Sequence, residues 1–282
     1  MPLIDRLHTL TTLITANTGN SVWQATGFFF RTLTAPDTQG NRFGKDDYLV
    51  TNRHVIFSKA TGREVLADNL NFSLRYVDPT TKSIQWYQIP ISNADLRLRA
   101  CISPDSSIDV AVIKIGDLVQ KAISSNPTIP FGYGVVTEAD LPSQNGVDVE
   151  VCDDTVVIGY PRGYYDAKNL FPIVKSGIIA SACNVCFNDH PFFLTDVKLY
   201  GGSSGSLVIT KPSYQYHIAG KPVTFNEKKF ALLGVYSGEP IYPRGPVQID
   251  EELTIIKNSS YNLGIVWYSS LIMDIINQNV HP

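Results

Sequence analysis

Three short segments of the 282-residue sequence carry the residue types that serine-based acyl transfer requires. His54 follows an apolar run, Asp109 precedes another, and Ser204 lies in the glycine-rich turn Gly201–Ser206. In this chemistry a neutral imidazole takes the proton of an attacking hydroxyl, and a carboxylate holds the imidazole in the required tautomer. Backbone N–H groups of a glycine-rich turn can stabilise the oxyanion that forms. The three segments therefore predict a nucleophilic serine with its base and orienting acid.

The chain order of these residues is His, Asp, Ser, and long stretches separate them, so the fold must bring them together. Two β-barrels that meet at a cleft would do so. An esterase of the α/β-hydrolase type is the alternative weighed here, but it predicts the order Ser, Asp, His and helices between its strands. The observed order and the scarcity of helical patterns exclude that architecture.

The elements that must position these residues are short β-type runs, rich in β-branched and aromatic residues and separated by turn residues. They predict an all-β barrel or sandwich and cover Thr11–Ala16, Thr26–Arg31, Tyr48–Thr51, Asn71–Val77, Gln85–Ile89, Val110–Ile115, Val147–Cys152, Thr155–Ile158, Gly177–Ala182, Phe192–Asp196, Ser206–Ile209, Phe230–Tyr236 and Gly264–Trp267.

Helical spacing is clear only near the C-terminus, where Ser269 and Ser270 cap a run containing Leu271, Ile272 and Ile275. A weaker helical pattern covers Leu3–Leu7. We expect a linker in Gly116–Pro142, which divides the chain into two β-rich halves. Inserted loops are expected at Thr34–Asp47, Lys211–Lys229 and Pro240–Asn262.

Composition excludes several classes of protein. With 44% hydrophobic and 11% aromatic residues the chain is not disordered. A net charge of −3 without a basic block argues against nucleic-acid binding. No apolar run reaches the roughly 18 residues of a membrane span. Four cysteines are too few for a disulfide framework, and the first residues do not resemble a signal peptide, so a cytoplasmic location without membrane association is expected.

Cysteine and histidine spacing leaves one metal site to consider. Cys183, Cys186 and His190 could bind zinc with Cys152 as a fourth ligand, but a single Cys-x-x-Cys pair favours buried thiols or a local disulfide. We therefore predict no metal and no cofactor. His190 and His217 are alternative candidates for the general base, but neither follows an apolar β-strand in the way that His54 does.

Taken together, the motifs resemble the trypsin/chymotrypsin-like serine proteases, particularly the bacterial group that includes high-temperature-requirement proteases and glutamyl endopeptidases. The segments that carry the resemblance are 25–29, Leu49–Val55, Asp109–Ile113, Val157–Pro161, Ser176–Ile179, Thr195–Asp196 and Gly202–Ser206. The resemblance implies two packed antiparallel barrels, with His54 and Asp109 in residues 1–120 and Ser204 in residues 121–282, and a C-terminal helix.

The same resemblance implies a site and an activity. Ser204 would attack the scissile carbonyl of a protein or peptide, and the N–H groups of Gly202 and Ser204 would form the oxyanion hole. The nucleophile is preceded by Ser203, where many relatives have an Asp that pairs with a newly cut N-terminus, so activation by cleavage is not expected. The alternative is a catalytically silent or partner-activated fold that acts as a binding module.

The resemblance also implies a primary substrate pocket. Its residues would be Thr195, Lys198, Gly234, Tyr236 and Gly238. If Lys198 points into this pocket it would favour cleavage after Glu or Asp, because the two charges would pair in a partly desolvated space.

Overall fold

Nearly all of the first half of the chain folds into one curled sheet. The computed structural model describes residues 6–60, 63–248, 254–260 and 262–282. The first sheet has the order β10-β6-β1-β2-β3-β9-β8, with β7 paired to β6 and β11 paired in parallel to β2. Its strands, with the separate hairpin β4–β5, are β1 (Thr11–Thr18), β2 (Ser21–Leu33), β3 (Gly44–Thr51), β4 (Phe57–Ala60), β5 (Arg63–Leu66), β6 (Asn69–Val77), β7 (Ile84–Ser92), β8 (Ala100–Ile102), β9 (Ala111–Lys114), β10 (Phe131–Gly132) and β11 (Val136–Thr137).

A second antiparallel sheet follows, in the order β13-β12-β15-β18-β21-β14. Two further two-stranded sheets, β16–β17 and β19–β20, lie between its strands in the chain. The bounds are β12 (Asp154–Gly159), β13 (Ile173–Ile178), β14 (Phe192–Thr195), β15 (Ser206–Thr210), β16 (Ser213–Ile218), β17 (Lys221–Lys229), β18 (Leu232–Gly238), β19 (Ile241–Gln248), β20 (Thr254–Ser260) and β21 (Gly264–Tyr268). The expected all-β class with two chymotrypsin-like barrels is confirmed.

Helices are short and lie between or after the strands. They are α1 (Arg53–Ile56), α2 (Asn93–Arg99), α3 (Gly116–Ser125), α4 (Pro142–Asn145) and α5 (Ser270–Gln278). The predicted C-terminal helix is present as α5, and Leu271, Ile272 and Ile275 are its buried face. The Leu3–Leu7 pattern falls mostly outside the described residues. Among the described helices none has the length and apolar character needed to cross a membrane.

Apolar packing joins the two barrels into one body. One core cluster fills the first barrel and contains Phe29, Leu49 and Phe72. Another fills the second barrel around Phe193. The largest lies between them, where apolar side chains of both sheets meet the buried face of α5. Burial of this shared cluster fixes the barrels against each other, which positions residues from both at one cleft.

Several expectations about local structure were wrong. The region Gly116–Pro142 contains helix α3, because Val119 and Ala122 form a short buried stripe against the first barrel. The expected loops at 211–229 and 240–262 contain the hairpins β16–β17 and β19–β20. The strands of β16–β17 have no fully buried residue, although Tyr216 and Ile218, and Val223 and Phe225, alternate with polar residues and are half-buried. Their turn, Ala219-Gly220, has positive φ at both residues, as a tight hairpin requires.

Two predicted strands also differ from the observed structure in their presence or their bounds. Residues 147–152 form only an isolated bridge and a turn, and the strand expected at Gly177–Ala182 is β13, which ends at Ile178. The first sheet extends past residue 120 through β10 and β11, and the boundary at residue 120 stays a prediction.

Candidate active site

His54 lies on the short helix α1, directly after β3. The helix is held by the buried side chains of Val55 and Ile56. Asn52, the residue before it, donates its side-chain N–H to the carbonyl oxygen of Asp109 at 2.7 Å. The ends of β3 and β9 are therefore tied together, and the His54 ring reaches the cleft with 45% of its side chain exposed.

Asp109 accepts hydrogen bonds from three donors. Its Oδ1 accepts the backbone N–H of His54 at 2.9 Å, and its Oδ2 lies 2.7 Å from His54 Nδ1. The hydroxyl of Ser237, on β18 of the second barrel, donates to the same Oδ2 at 2.5 Å. An ionised carboxylate can only accept, so Nδ1 of His54 carries the proton. The other ring nitrogen, Nε2, is then the basic one.

Ser204 lies in the turn that leads into β15. Its carbonyl oxygen accepts the N–H of Thr26 at 2.9 Å, and the next amide, of Gly205, donates to the carbonyl of Tyr236 at 2.8 Å. These bonds fix the turn between strands of both barrels. The Ser204 hydroxyl donates to the carbonyl oxygen of Ser237 at 3.0 Å, and in the described part of the chain no hydrogen bond joins it to the His54 ring.

Gly202, in the turn before Ser204, has a left-handed backbone conformation. Gly202 has φ +87°, and a Cβ there would lie 2.6 Å from the amide nitrogen of Arg162. Its carbonyl oxygen accepts the hydroxyl of Thr26 at 3.0 Å. Within the described residues the N–H groups of Gly202 and Ser204 donate to no protein acceptor. Both N–H groups can therefore donate to a bound ligand.

Ser203, between Gly202 and Ser204, is 1% exposed, and its hydroxyl has no hydrogen-bond partner among the described residues. A neutral serine here leaves no buried carboxylate that needs a cationic N-terminus.

A loop between β12 and β13 supports the same turn. The amide of Arg162 donates to the carbonyl of Gly201 at 2.6 Å. The far end of the loop is held by Arg75, which is 7% exposed. Arg75 donates to the carbonyl of Leu170 at 3.2 Å and faces the Phe171 ring at 5.3 Å. Burial lowers the pKa of the Arg75 guanidinium, which has no carboxylate partner among the described residues.

Two clefts meet at Ser204. One, of about 340 Å³, contains His54 and Gly202 together with Trp23 and Phe57. The other, of about 330 Å³, is lined on the β18 side by Tyr236, Ser237 and Gly238 and does not include His54.

The predicted pocket residues are only partly gathered there. Tyr236 and Gly238 line the second cleft. Thr195 is buried, does not line this cleft and donates its hydroxyl to the carbonyl of Ile178. Gly234 packs against the Trp267 carbonyl within the sheet. Lys198 is exposed and does not line either cleft, so its placement gives the acidic preference no support.

The cysteine and histidine alternatives lie elsewhere. Cys101, Cys152, Cys183 and Cys186 are all free thiols, and burial raises the pKa of Cys183 to about 11. No three metal-ligating side chains cluster among the residues described. His190 stacks on Phe192 and lines neither of the clefts at Ser204.

Three positioning residues were missed by sequence reasoning: Asn52, Thr26 and Ser237. Asn52 and Thr26 are fully buried polar residues beside the histidine and serine motifs. Each acts through contacts between distant segments. Asp109 is only partly exposed, and such a carboxylate is usually satisfied by several donors, but no local sequence signal pointed to Ser237.

Residues 25–213 match the family described as the trypsin-like peptidase domain. No curated protein matches the sequence. Among solved structures, an HtrA-type protease with a tripeptide is 15% identical, with TM-score 0.49 and 98% of this chain covered. The chain spans 61% of that protein's length. The protease Anisep from Arthrobacter nicotinovorans is also 15% identical, with TM-score 0.48 and coverage of 96% of this chain and 95% of its own. Because the family match includes more than half of the 282 residues, the chain belongs to the trypsin-like peptidase domain family.

Proposed function

We propose that this protein is a serine endopeptidase that hydrolyses peptide bonds through His54, Asp109 and Ser204. The observation that carries the proposal is the 2.7 Å contact between His54 Nδ1 and Asp109 Oδ2, with His54 lining a cleft that also contains Ser204 and Gly202. Family membership supports the same activity.

In the proposed reaction Nε2 of His54 removes the hydroxyl proton as Ser204 Oγ attacks the scissile carbonyl. The carbonyl oxygen becomes an oxyanion that accepts the N–H groups of Gly202 and Ser204. Asp109 keeps the imidazole in the Nδ1–H tautomer and stabilises the imidazolium. His54 then protonates the leaving amine, and water releases the acyl group from Ser204 by the reverse sequence.

One hydrogen bond must change before attack. The Ser204 hydroxyl donates to the Ser237 carbonyl, so it must rotate toward His54 for its proton to be removed. Such catalytic hydrogen bonds are often absent without substrate and form in the substrate complex. Substrate binding can supply the exchange, because an extended peptide beside β18 would itself hydrogen-bond the Ser237 carbonyl.

A fluorophosphonate probe tests the proposal, because it reacts only with an activated serine. We expect labelling of Ser204 in the wild type, none in Ser204→Ala and strongly reduced labelling in His54→Ala. Both variants should unfold at the same temperature as the wild type, which shows that they are folded. Near-normal proteolysis by Ser204→Ala would overturn the assignment.

A second candidate is a fold that is silent until a partner binds. The bond from Ser204 to the Ser237 carbonyl favours it, because that rotamer holds the nucleophile away from His54. It predicts that the probe fails to label Ser204 in the isolated protein and labels it when a peptide or protein ligand is added.

The cytoplasmic location expected from the sequence stays a prediction, and free thiols at all four cysteines are compatible with a reducing compartment.

A further inference from the structure

The two clefts at Ser204 differ in one respect that matters for substrate recognition. His54 lines the cleft of about 340 Å³ and is absent from the lining of the other. In the proposed reaction His54 must pass its proton to the leaving amine. The cleft that contains His54 therefore receives the part of the peptide that follows the scissile bond, which we call the leaving-group cleft.

Aromatic rings form the walls of the leaving-group cleft. The indole N–H of Trp23 donates to the carbonyl oxygen of Val55 at 3.0 Å, which fixes the orientation of its ring. The Arg53 guanidinium faces the Phe57 ring at 5.1 Å. Both rings are partly exposed and held in place, so they offer an apolar surface at little entropic cost on binding.

A single lysine supplies the positive charge further along this cleft. Lys59 lies two residues after Phe57 on β4, which places it about 7 Å farther along the strand from His54. It is exposed and lines the cleft. Among the described residues it makes no ion pair.

The carboxylate nearest to Lys59 in the strand pairing is already engaged. Glu64 lies opposite Lys59 in the β4–β5 hairpin. Its Oε2 accepts Nη2 of Arg53 at 2.8 Å, and that hydrogen bond, opposed by burial, holds the pKa of Glu64 below its usual value. Arg53 thus makes the ion pair with Glu64, while the charge of Lys59 contributes less to the lowered pKa of Glu64 and Lys59 itself lines the cleft.

We propose that the leaving-group cleft selects peptides with a bulky apolar residue directly after the scissile bond and a carboxylate at the residue that follows. The apolar side chain packs on Trp23 and Phe57, and the carboxylate pairs with Lys59. This inference rests on the proposed function. The carboxylate has two sources, an Asp or Glu side chain or the C-terminus of a short leaving peptide.

Acyl transfer from p-nitrophenyl acetate isolates this side of the site. Attack by Ser204 releases p-nitrophenol and leaves an acetyl-enzyme. The amine of an added dipeptide then attacks the acetyl carbonyl, the bond to Ser204 Oγ breaks, and the amine proton passes through His54 to Ser204. The ratio of acetyl-dipeptide to acetate measures binding of the dipeptide in the leaving-group cleft. The acetyl group has no amino-acid residue before the scissile bond, so the other cleft does not contribute. Reactions with Ser204→Ala give the uncatalysed background.

For the wild type we expect Phe-Asp-amide to give a ratio about threefold above Phe-Asn-amide, and Phe-Lys-amide a ratio below both, the size expected of an exposed ion pair. Lys59→Glu should reverse the order of Asp and Lys. Lys121→Glu, an exposed lysine of α3 that lines neither cleft, should leave it unchanged. Phe-Ala with a free carboxylate against Phe-Ala-amide distinguishes the terminal carboxylate from a side chain.

Equal ratios for the three amides, or an order that Lys59→Glu does not alter, would overturn the proposal while leaving the protease assignment intact. Replacement of Phe by Gly in Phe-Asp-amide should lower the ratio several-fold, and no loss would refute the apolar part. Absence of a Ser204-dependent burst of p-nitrophenol in the wild type would instead refute the proposed function, and the inference with it.

Discussion

The hydroxyl of Ser237 donates a 2.5 Å hydrogen bond to Oδ2 of Asp109, from the second barrel to the first. The same carboxylate oxygen lies 2.7 Å from Nδ1 of His54. The carbonyl of Ser237 in turn accepts the hydroxyl of Ser204. One residue thus contacts both the carboxylate of Asp109 and the hydroxyl of Ser204, so these contacts depend on the packing of the two barrels against each other.

Removal of the Ser237 hydroxyl should slow the reaction more than it weakens substrate binding. Ser237→Ala leaves Asp109 with one donor fewer, and a hydrogen bond to a charged group contributes enough that we expect kcat to fall about tenfold. KM and the unfolding temperature should change little. Ser237→Thr, which keeps the hydroxyl, should recover most of the rate. Steady-state kinetics on one peptide substrate checks this, and a wild-type kcat for the alanine variant would contradict a positioning role.

Asp109→Asn should cost about 10⁴-fold in kcat, because the amide cannot hold the Nδ1–H tautomer of His54 as a carboxylate does. The change is nearly isosteric, so thermal unfolding should show a folded protein. Single-turnover acylation measures the loss directly. A loss smaller than tenfold would mean that the carboxylate does not orient the base.

The conformation of Gly202 gives a sharper test, because its neighbour provides the control. Gly202→Ala adds a Cβ 2.6 Å from the Arg162 amide and 3.0 Å from the Tyr160 carbonyl, at a φ of +87° that side chains rarely adopt. We expect the turn to shift and the rate to fall about 100-fold or more, as when an oxyanion donor is lost.

Gly201→Ala is the matched variant, since a Cβ at Gly201 meets nothing within 4 Å. It should keep a rate within about threefold of the wild type, because a substitution free of contacts has only a small effect. Kinetics of fluorophosphonate labelling compares the two variants. Equal rates would show that the glycine conformation is not required.

Much of the fold was predictable because buried strands carry strong local signals. Runs such as Phe28–Phe30 and Leu207–Ile209 are apolar and buried, and their short length and aromatic or β-branched residues indicate strands. The hairpin β16–β17 was expected to be a loop from its Pro, Gly and Lys residues, although Val223 and Phe225 alternate with polar residues as in a half-buried strand. Helix α3 was obscured by the Gly and Ser residues at its two ends.

The residues of the site also fall into those that the sequence could predict and those that it could not. His54, Asp109 and Ser204 lie in segments whose local residue types already indicate their chemistry. Thr26 and Ser237 are ordinary strand residues by sequence, and their roles arise from hydrogen bonds between segments that only the folded barrels bring together. Lys198 is exposed in a loop, where spacing from a motif does not fix the direction of a side chain, and the acidic preference stays a prediction.

Arg75 allows a test of how the loop between β12 and β13 is held. Arg75→Met removes the hydrogen bond to Leu170 and the contact of the guanidinium with Phe171. The cost of burying an unpaired charge disappears as well, so we expect the free energy of unfolding to change by only about 1 kcal/mol. Amide hydrogen exchange in residues 163–171 should accelerate at least several-fold. Arg97→Met, an exposed arginine of α2, is the control, and equal exchange in the two variants would contradict the proposed anchoring.

Asp47 predicts how stability depends on pH. Burial opposes its ionisation, but hydrogen bonds from Arg31 (2.5 Å) and Tyr133 (2.7 Å) outweigh burial and lower the pKa of Asp47 below 3.8. A carboxylate with a depressed pKa stabilises the fold above its unfolded pKa, and that stability is lost as pH falls through the folded pKa. Asp47→Asn should therefore be less stable than the wild type by about 1 to 2 kcal/mol at pH 7, allowing for partial exposure of Arg31.

The difference between the two proteins should shrink as the pH is lowered below about 4, where the wild type loses its own contribution. Urea unfolding at pH 7, 5, 4 and 3 measures it. Asp274→Asn, at an exposed carboxylate of α5, should show no such pattern. A gap between wild type and Asp47→Asn that stays constant down to pH 3 would mean that the ionised carboxylate contributes nothing to stability, and the contacts with Arg31 and Tyr133 would then have to act through packing alone.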